Sequence, residues 1–231
     1  MIRFFDIALS VFALILLLPL LLPIILILKF SGEGEVFFLQ ERVGINKKMF
    51  KLIKFATMLK NSPNIGTGTV TTKNDPRILP AGYFLRKTKI NELPQLLNIL
   101  LGQMSIIGPR PQTPRCFDAF PKSLQDVIVS VKPGLSGIGS VIFRGEEDML
   151  VGDNNNLNFY DNEIAPYKAL LEAWYVDNRS LKINFLLIFC TVHVVCFSKS
   201  NIVWKIFKDL PEPPDNLWLL LSYKNLYSNK K

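Results

Sequence analysis

The sequence predicts an α+β fold: a small mixed domain with an N-terminal re-entrant membrane helix and C-terminal interfacial helices. Three observations carry this. Residues 7–28 are apolar and contain no charge. Two short strand-like segments follow, at 36–40 and 49–55. Beyond residue 165 the chain returns to long apolar stretches of helical length. With 231 residues there is room for one domain with a sizeable core. No repeat or low-complexity linker divides it. The expected organisation is an anchor at 1–30, a main domain at 31–200 and a tail at 201–231.

The first run is long enough to cross a bilayer core of about 30 Å. A cleaved signal peptide would end in small residues, and Leu28-Lys29-Phe30-Ser31-Gly32-Glu33 is a poor cleavage site. A straight spanning helix fits by length. A helix that enters and leaves on one face is the third reading, because Pro19 and Pro23 each remove a backbone donor within the run. Arg3 precedes the run, while Lys29, Arg42, Lys47, Lys48, Lys51 and Lys54 follow it. Lys and Arg concentrate on untranslocated flanks, so basic residues at both ends favour the re-entrant anchor.

The remaining elements follow in order. The two strands flank a Gly44-Ile45-Asn46 turn, and residues 61–76 are a polar exposed loop. Residues 93–101 read as a helix with Asn91 as N-cap and Pro94 in its first turn. Gly108-Pro109-Arg110-Pro111 and Lys132-Pro133-Gly134 are rigid turns, and 135–143 is a glycine-interrupted strand. Helices are expected at 167–175 and 181–197, the second equally suited to a core or an interface. The bulky and basic residues at 202–208 suit an interfacial helix.

Composition narrows the chemistry. Lys and Arg outnumber Asp and Glu by 27 to 19, a net charge of +8. Such a surface suits nucleic acid, anionic lipid or phosphate-rich small molecules, and the apolar run selects the last two. The pattern lacks the recognition helix or aromatic platform of a nucleic-acid binder. Cys116, Cys190 and Cys196 have no metal-ligand spacing and read as buried thiols. His193 is the one histidine and sits in an apolar run, so a zinc site or a histidine triad is not expected. Arg42, Lys54, Arg86, Arg110, Lys132 and Arg144 mostly lie beside turns or strand ends. Converging guanidinium forks would match a diphosphate.

Several motifs stand in a specific order: Arg3-Phe4-Phe5-Asp6, Pro19, Gln40-Glu41-Arg42-Val43-Gly44 and Lys51-Leu52-Ile53-Lys54-Phe55. Glu92-Leu93-Pro94-Gln95-Leu96, Ile107-Gly108-Pro109-Arg110-Pro111, Lys132-Pro133-Gly134-Leu135-Ser136-Gly137 and Trp174-Tyr175-Val176 continue it. With these the chain resembles the bacterial sugar transferase family, the small monotopic phosphoglycosyl transferases, from Arg3 to about Leu187. The resemblance implies a helix bent at the proline and an active site at the cytoplasmic face of the bacterial inner membrane. It implies a magnesium (Mg2+)-dependent reaction of a UDP-sugar with undecaprenyl phosphate, releasing UMP and starting surface glycan assembly. Membrane lipid is then a partner and nucleic acid is not. Carried onto this chain, the catalytic positions are Glu92, Asn91 and Arg86, with Glu92 as metal ligand. The substrate-binding positions are Arg110, Pro111, Arg144 and Lys54.

One departure matters. The family places an Asp-Glu pair before Leu-Pro-Gln, with the Asp as nucleophile, whereas this chain has Asn91 before Glu92. Asn184 and Glu172 also stand where Asp is common. A carboxamide is uncharged and a poor nucleophile. Glu92 could take over that role, with magnesium held by Asp75, Glu146 or Glu147. The lipid phosphate could attack directly. Or the chain could be an inactive homologue acting as a membrane-bound assembly partner.

Overall fold

A computed structural model describes residues 2–66, 68, 71, 74–150, 155–197, 200–218 and 220–221; for 147, 148, 155 and 156 this covers the backbone alone. Helix α1, Ile2–Phe30, runs unbroken through Pro19 and Pro23. At 1.5 Å per residue it is about 43 Å long. It is docked along its whole length. At its start Arg3 donates to the carbonyls of Ile99 and Leu100, and the buried Asp6 carboxylate accepts from Ser105 Oγ at 2.9 Å and Ile106 N at 3.0 Å. Midway, Ala13, Leu14 and Leu17 pack on Leu52, Leu96, Ile99 and Met104. Near its end Leu21, Ile24 and Leu28 pack on Phe55 and Leu85. The opposite face exposes Phe4, Phe12, Ile15, Leu16, Leu22, Leu26 and Ile27.

Strands β1, Phe37–Val43, and β2, Met49–Phe55, form an antiparallel hairpin in which Arg42 faces Phe50 and Lys54 faces Phe38. The first strand runs past residue 40, where the sequence pattern had it end, and so carries Arg42. The polar loop expected at 61–76 is tied down by a buried ion pair, Arg77 to Asp75. Arg77 also donates to the carbonyls of Ser62, Ile65 and Gly68. Thr67, Thr69, Val70, Thr72 and Lys73 of that loop lie outside the described residues.

Helix α2, Pro80–Lys87, leads through Lys89, at a left-handed φ of 62°, into a tight helical turn at Ile90–Glu92 and then α3, Gln95–Leu100. Asn91 is therefore not an N-cap. It lies inside the turn with its side-chain oxygen unbonded, and Pro94 holds the cap position of α3.

Strand β3, Ser105–Ile107, pairs in parallel with β4, Gly134–Ser136. Helices α4, Pro114–Asp118, and α5, Lys122–Ile128, lie between them in the chain. The strand expected at 135–143 stops after Ser136, and the chain coils into α6, Ile138–Ile142. Ile138 and Val141 are both buried three residues apart, a helical spacing that overrides the β-branched character of the segment.

After α7, Glu146–Met149, and α8, Asn155–Phe159, the long α9, Ala165–Asn178, fills the main core with Tyr167, Ala169, Leu171 and Tyr175. Helix α10, Leu181–Cys196, buries Asn184, Leu187, Cys190 and Val194, while Phe185, Phe189, Val192 and Val195 are exposed. Both readings of this helix hold, on opposite faces. His193 is packed between the rings of Phe189 and Phe197. Helices α11, Ile202–Ile206, and α12, Asp215–Trp218, complete the order. Val203, Trp204, Phe207 and Leu217 are buried in the main core, so the apolar side chains expected at an interface here are covered by protein instead. Of the three cysteines, Cys116 and Cys190 are buried as expected, and Cys196 is exposed.

Candidate active site

The site is built on a close crossing of two backbone segments. Gly108 N donates to the Ser136 carbonyl at 3.0 Å, and Gly134 N donates to the Pro109 carbonyl at 2.8 Å. A Cβ on Gly134 would lie 2.1 Å from Gly108 N, and one on Gly137 would lie 2.1 Å from Gly108 O. Only hydrogen in place of a side chain permits this approach. The two glycine–proline turns read from the sequence are thus one structure.

That crossing presents Arg110. Its backbone N–H donates to Glu172 Oε1 at 3.1 Å, and its guanidinium grips Glu92, with Nη2–Oε1 at 2.8 Å and Nη1–Oε2 at 3.4 Å. Glu92 reaches this position because the left-handed Lys89 reverses the chain before the turn at Ile90–Glu92.

Around the pair lies a cavity of about 540 Å³. Asn91, Glu92, Arg86, Arg110, Arg144 and Lys54 all line it, so six of the seven site residues expected from sequence are brought together. The seventh, Pro111, is buried alongside, and its carbonyl accepts from Arg42 Nη1 at 2.9 Å. Arg42 lines the cavity too. Lys132 belongs elsewhere, close to Gly102 and Arg3. The lining also includes the apolar Ile106, Leu135, Ile188, Val192 and Val195. Ile90, Leu93, Ile106 and Leu135 line the cavity and also pack against the α1 clusters.

The charges are strongly coupled. Burial opposes ionisation of Glu92, but Arg110 and Lys54 outweigh it and hold the carboxyl well below the ordinary carboxylate range. Burial and then the neighbouring Arg42 push the Lys54 ammonium well below its usual value. Burial, reinforced by Arg110, lowers Arg42 to about 10. Glu92 in turn raises Arg110 above the ordinary guanidinium value. Glu92 is the anion on which this cationic cluster depends.

Sequence reasoning named Glu172 and Glu146 without giving them their place here, and it passed over Lys168, Gln112 and Tyr160. Glu172 is fully buried, with Oε2 unbonded, and burial lifts its pKa to about 7 against the opposing Arg110 N–H and Lys168. Lys168 is buried, bonds Glu146 at 2.5 Å and sits over the Phe143 ring. Gln112 and Tyr160 also line the cavity. A lysine and a glutamate four residues apart within the otherwise apolar stretch 164–176 were the available signal.

Among the described residues no group of three or more His, Cys, Asp or Glu side chains could enclose a metal. Asp75 is committed to Arg77 and Glu146 to Lys168, and the Glu147 side chain is outside the described residues. The cavity does offer adjacent oxygen donors, the Glu92 carboxylate and the buried, unbonded Asn91 Oδ1. This set fits a hard ion that completes its shell with substrate oxygens.

Comparison with known proteins identifies the family. A family model described as bacterial sugar transferase matches residues 1–198. The exopolysaccharide production protein PSS of Rhizobium leguminosarum bv. phaseoli is 47% identical over 82% of this chain and 92% of its own length. The exopolysaccharide production protein ExoY of Sinorhizobium fredii is 32% identical over 86% of this chain and 87% of its own. The UDP-glucose:undecaprenyl-phosphate glucose-1-phosphate transferase of Escherichia coli is 36% identical over 80% of this chain, a match spanning 38% of that longer protein. The glycine crossing, the Arg110–Glu92 grip and a long apolar helix packed beside the cavity therefore stand in a chain that belongs to the bacterial sugar transferase family.

Proposed function

We propose that this glycosyl-1-phosphate transferase moves a sugar 1-phosphate from a UDP-sugar to undecaprenyl phosphate, releasing UMP, as the first step of a surface glycan. The observation that carries this reading is one cavity lined both by a cluster of cationic side chains and by apolar side chains, some of which also pack against the helix α1 clusters. Guanidinium forks at Arg42, Arg86, Arg110 and Arg144 suit phosphate oxygens. The apolar side chains suit the first units of a polyprenyl chain that rises from the bilayer along α1.

Magnesium is expected to be held by Glu92, with Asn91 Oδ1 adjacent, and would neutralise charge on the transferred phosphoryl group. Arg110 then fixes the Glu92 carboxylate, and Arg86 and Lys54 meet the diphosphate. The apolar outer face of α1 suits lipid, and contact with the domain along the helix supports an anchor that stays at the cytoplasmic face of the inner membrane. The sugar varies among relatives: the Escherichia coli protein is named for glucose, and one of Aeromonas hydrophila for N-acetylgalactosamine.

Asn91 favours a second reading, an inactive homologue that serves as an assembly partner. The test is UMP release by the full chain in nanodiscs with undecaprenyl phosphate, magnesium and a panel of UDP-sugars. Release that needs both substrates supports the transferase. Silence with every donor supports the inactive partner.

A further inference from the structure

Resting on that transferase reading, we infer that this protein passes the sugar phosphate directly from donor to lipid phosphate in one ternary complex, with no sugar phosphate held covalently on the chain. Asn91 is the buried residue of the turn, and a neutral carboxamide is a poor nucleophile at phosphorus. Glu92 is next to it, but both its oxygens are held by Arg110, whose backbone is fixed in turn by the glycine crossing and by Glu172. Attack by either oxygen of Glu92 would neutralise the carboxylate and leave a partly buried guanidinium without its counter-charge, which is strongly unfavourable. The other carboxylate on the described lining, Glu146, is bonded to Lys168. Hydroxyl and thiol groups on the lining have no imidazole beside them, because His193 lies between two phenylalanine rings.

The acceptor needs no such help. A phosphate monoester has its second ionisation near pH 6, so it already carries an anionic oxygen at about pH 7. That oxygen attacks the phosphorus that bears the sugar, forming the new P–O bond. The bond from this phosphorus to the bridging oxygen breaks, and its electron pair leaves with UMP. No proton has to move, and the products are UMP and the lipid diphosphosugar.

Direct transfer requires three phosphate groups in one place, and the cavity is charged accordingly. Among the described residues seven basic side chains line it against two carboxylates, a surplus suited to a diphosphate and a lipid phosphate held together. The unbonded Asn91 Oδ1 and its amide are left to orient the donor, as a positioning group.

The test is isotope exchange with the full-length protein in nanodiscs. Tritiated UMP is incubated with magnesium and UDP-glucose or UDP-N-acetylgalactosamine, with and without undecaprenyl phosphate. A double-displacement enzyme returns label to the UDP-sugar without any lipid acceptor. Direct transfer predicts exchange without acceptor below about a hundredth of the net rate, together with intersecting rather than parallel initial-rate lines. Acceptor-independent exchange near the net rate, or a sugar-phosphate mass added to the intact protein, would overturn direct transfer while leaving the transferase reading in place. No UMP release with either donor or the wider panel would overturn the transferase reading itself, and this inference with it.

Discussion

Arg110 holds Glu92 at both carboxylate oxygens, at 2.8 and 3.4 Å, while its own backbone N–H is held by Glu172. Three segments far apart in the chain thus meet at one arginine, one at its guanidinium and one at its backbone. The pair is partly buried, and each charge favours the ionised form of the other.

Removing the guanidinium should therefore be costly. Arg110→Ala is expected to lower transfer at least about tenfold, roughly the loss of one charged hydrogen bond, and to leave Glu92 unpaired. Arg110→Lys should recover only part, because an ammonium cannot bond both oxygens in the same geometry. UMP release under saturating substrates measures both. Full activity in Arg110→Ala would take this residue out of the site.

Glu92→Gln changes charge with little change of shape. Transfer is expected to fall by at least about a hundredfold, the scale for losing one group that organises transition-state charge. Circular dichroism should show the fold retained. An equally active variant would refute Glu92 as the acting carboxylate.

Asn91→Asp should create what the native turn lacks. A carboxylate there would face Lys54 and Arg86 across the cavity and be held ionised by them. The variant is expected to gain acceptor-independent exchange of UMP into the UDP-sugar. Isotope exchange and intact mass, compared with the native chain, read the result.

Glu172 gives a pH-dependent contribution to stability. Its folded pKa of about 7 lies above the ordinary 4.5, so the folded state retains a proton that the unfolded state releases. Stability should therefore be highest below about pH 4.5 as far as this group is concerned, and fall as pH rises from there to about 7. The full span corresponds to about 3 kcal/mol at most. Glu172→Gln keeps the acceptor for Arg110 N–H and should flatten this dependence. Thermal unfolding in detergent at pH 5.5 and 8 measures it, and an unchanged pH dependence would reject the assignment.

Asp6 locks the start of α1 to β3. Asp6→Ala would leave Ser105 Oγ and Ile106 N without their acceptor, a loss of about 1.5–3 kcal/mol for bonds to a charged group. A lowered unfolding temperature would show it. For topology, cysteines placed at Ile2 and Ser123 in a background without native cysteines should both resist an impermeant reagent in intact spheroplasts. Labelling at Ile2 alone would restore a spanning helix.

The sequence by itself determined the long apolar N-terminal helix, the hairpin, the helices after residue 165 and six of the charged and polar side chains that line the cavity. These are local signals: an uncharged run, alternation of period two, turns rich in Gly and Pro, and arginines beside those turns. It could not decide what Asn91 does, because a good N-cap residue and an unbonded side chain in a tight turn look the same in a string of letters. Nor could it show that residues 202–207 belong to the core, since apolar residues at helical spacing face lipid or protein alike. Tertiary structure decided the partners. Gly108, Gly134 and Gly137 became one crossing, and Arg110 met Glu92 and Glu172, because hydrogen bonds and ion pairs form between groups that folding brings near, whatever their distance along the chain.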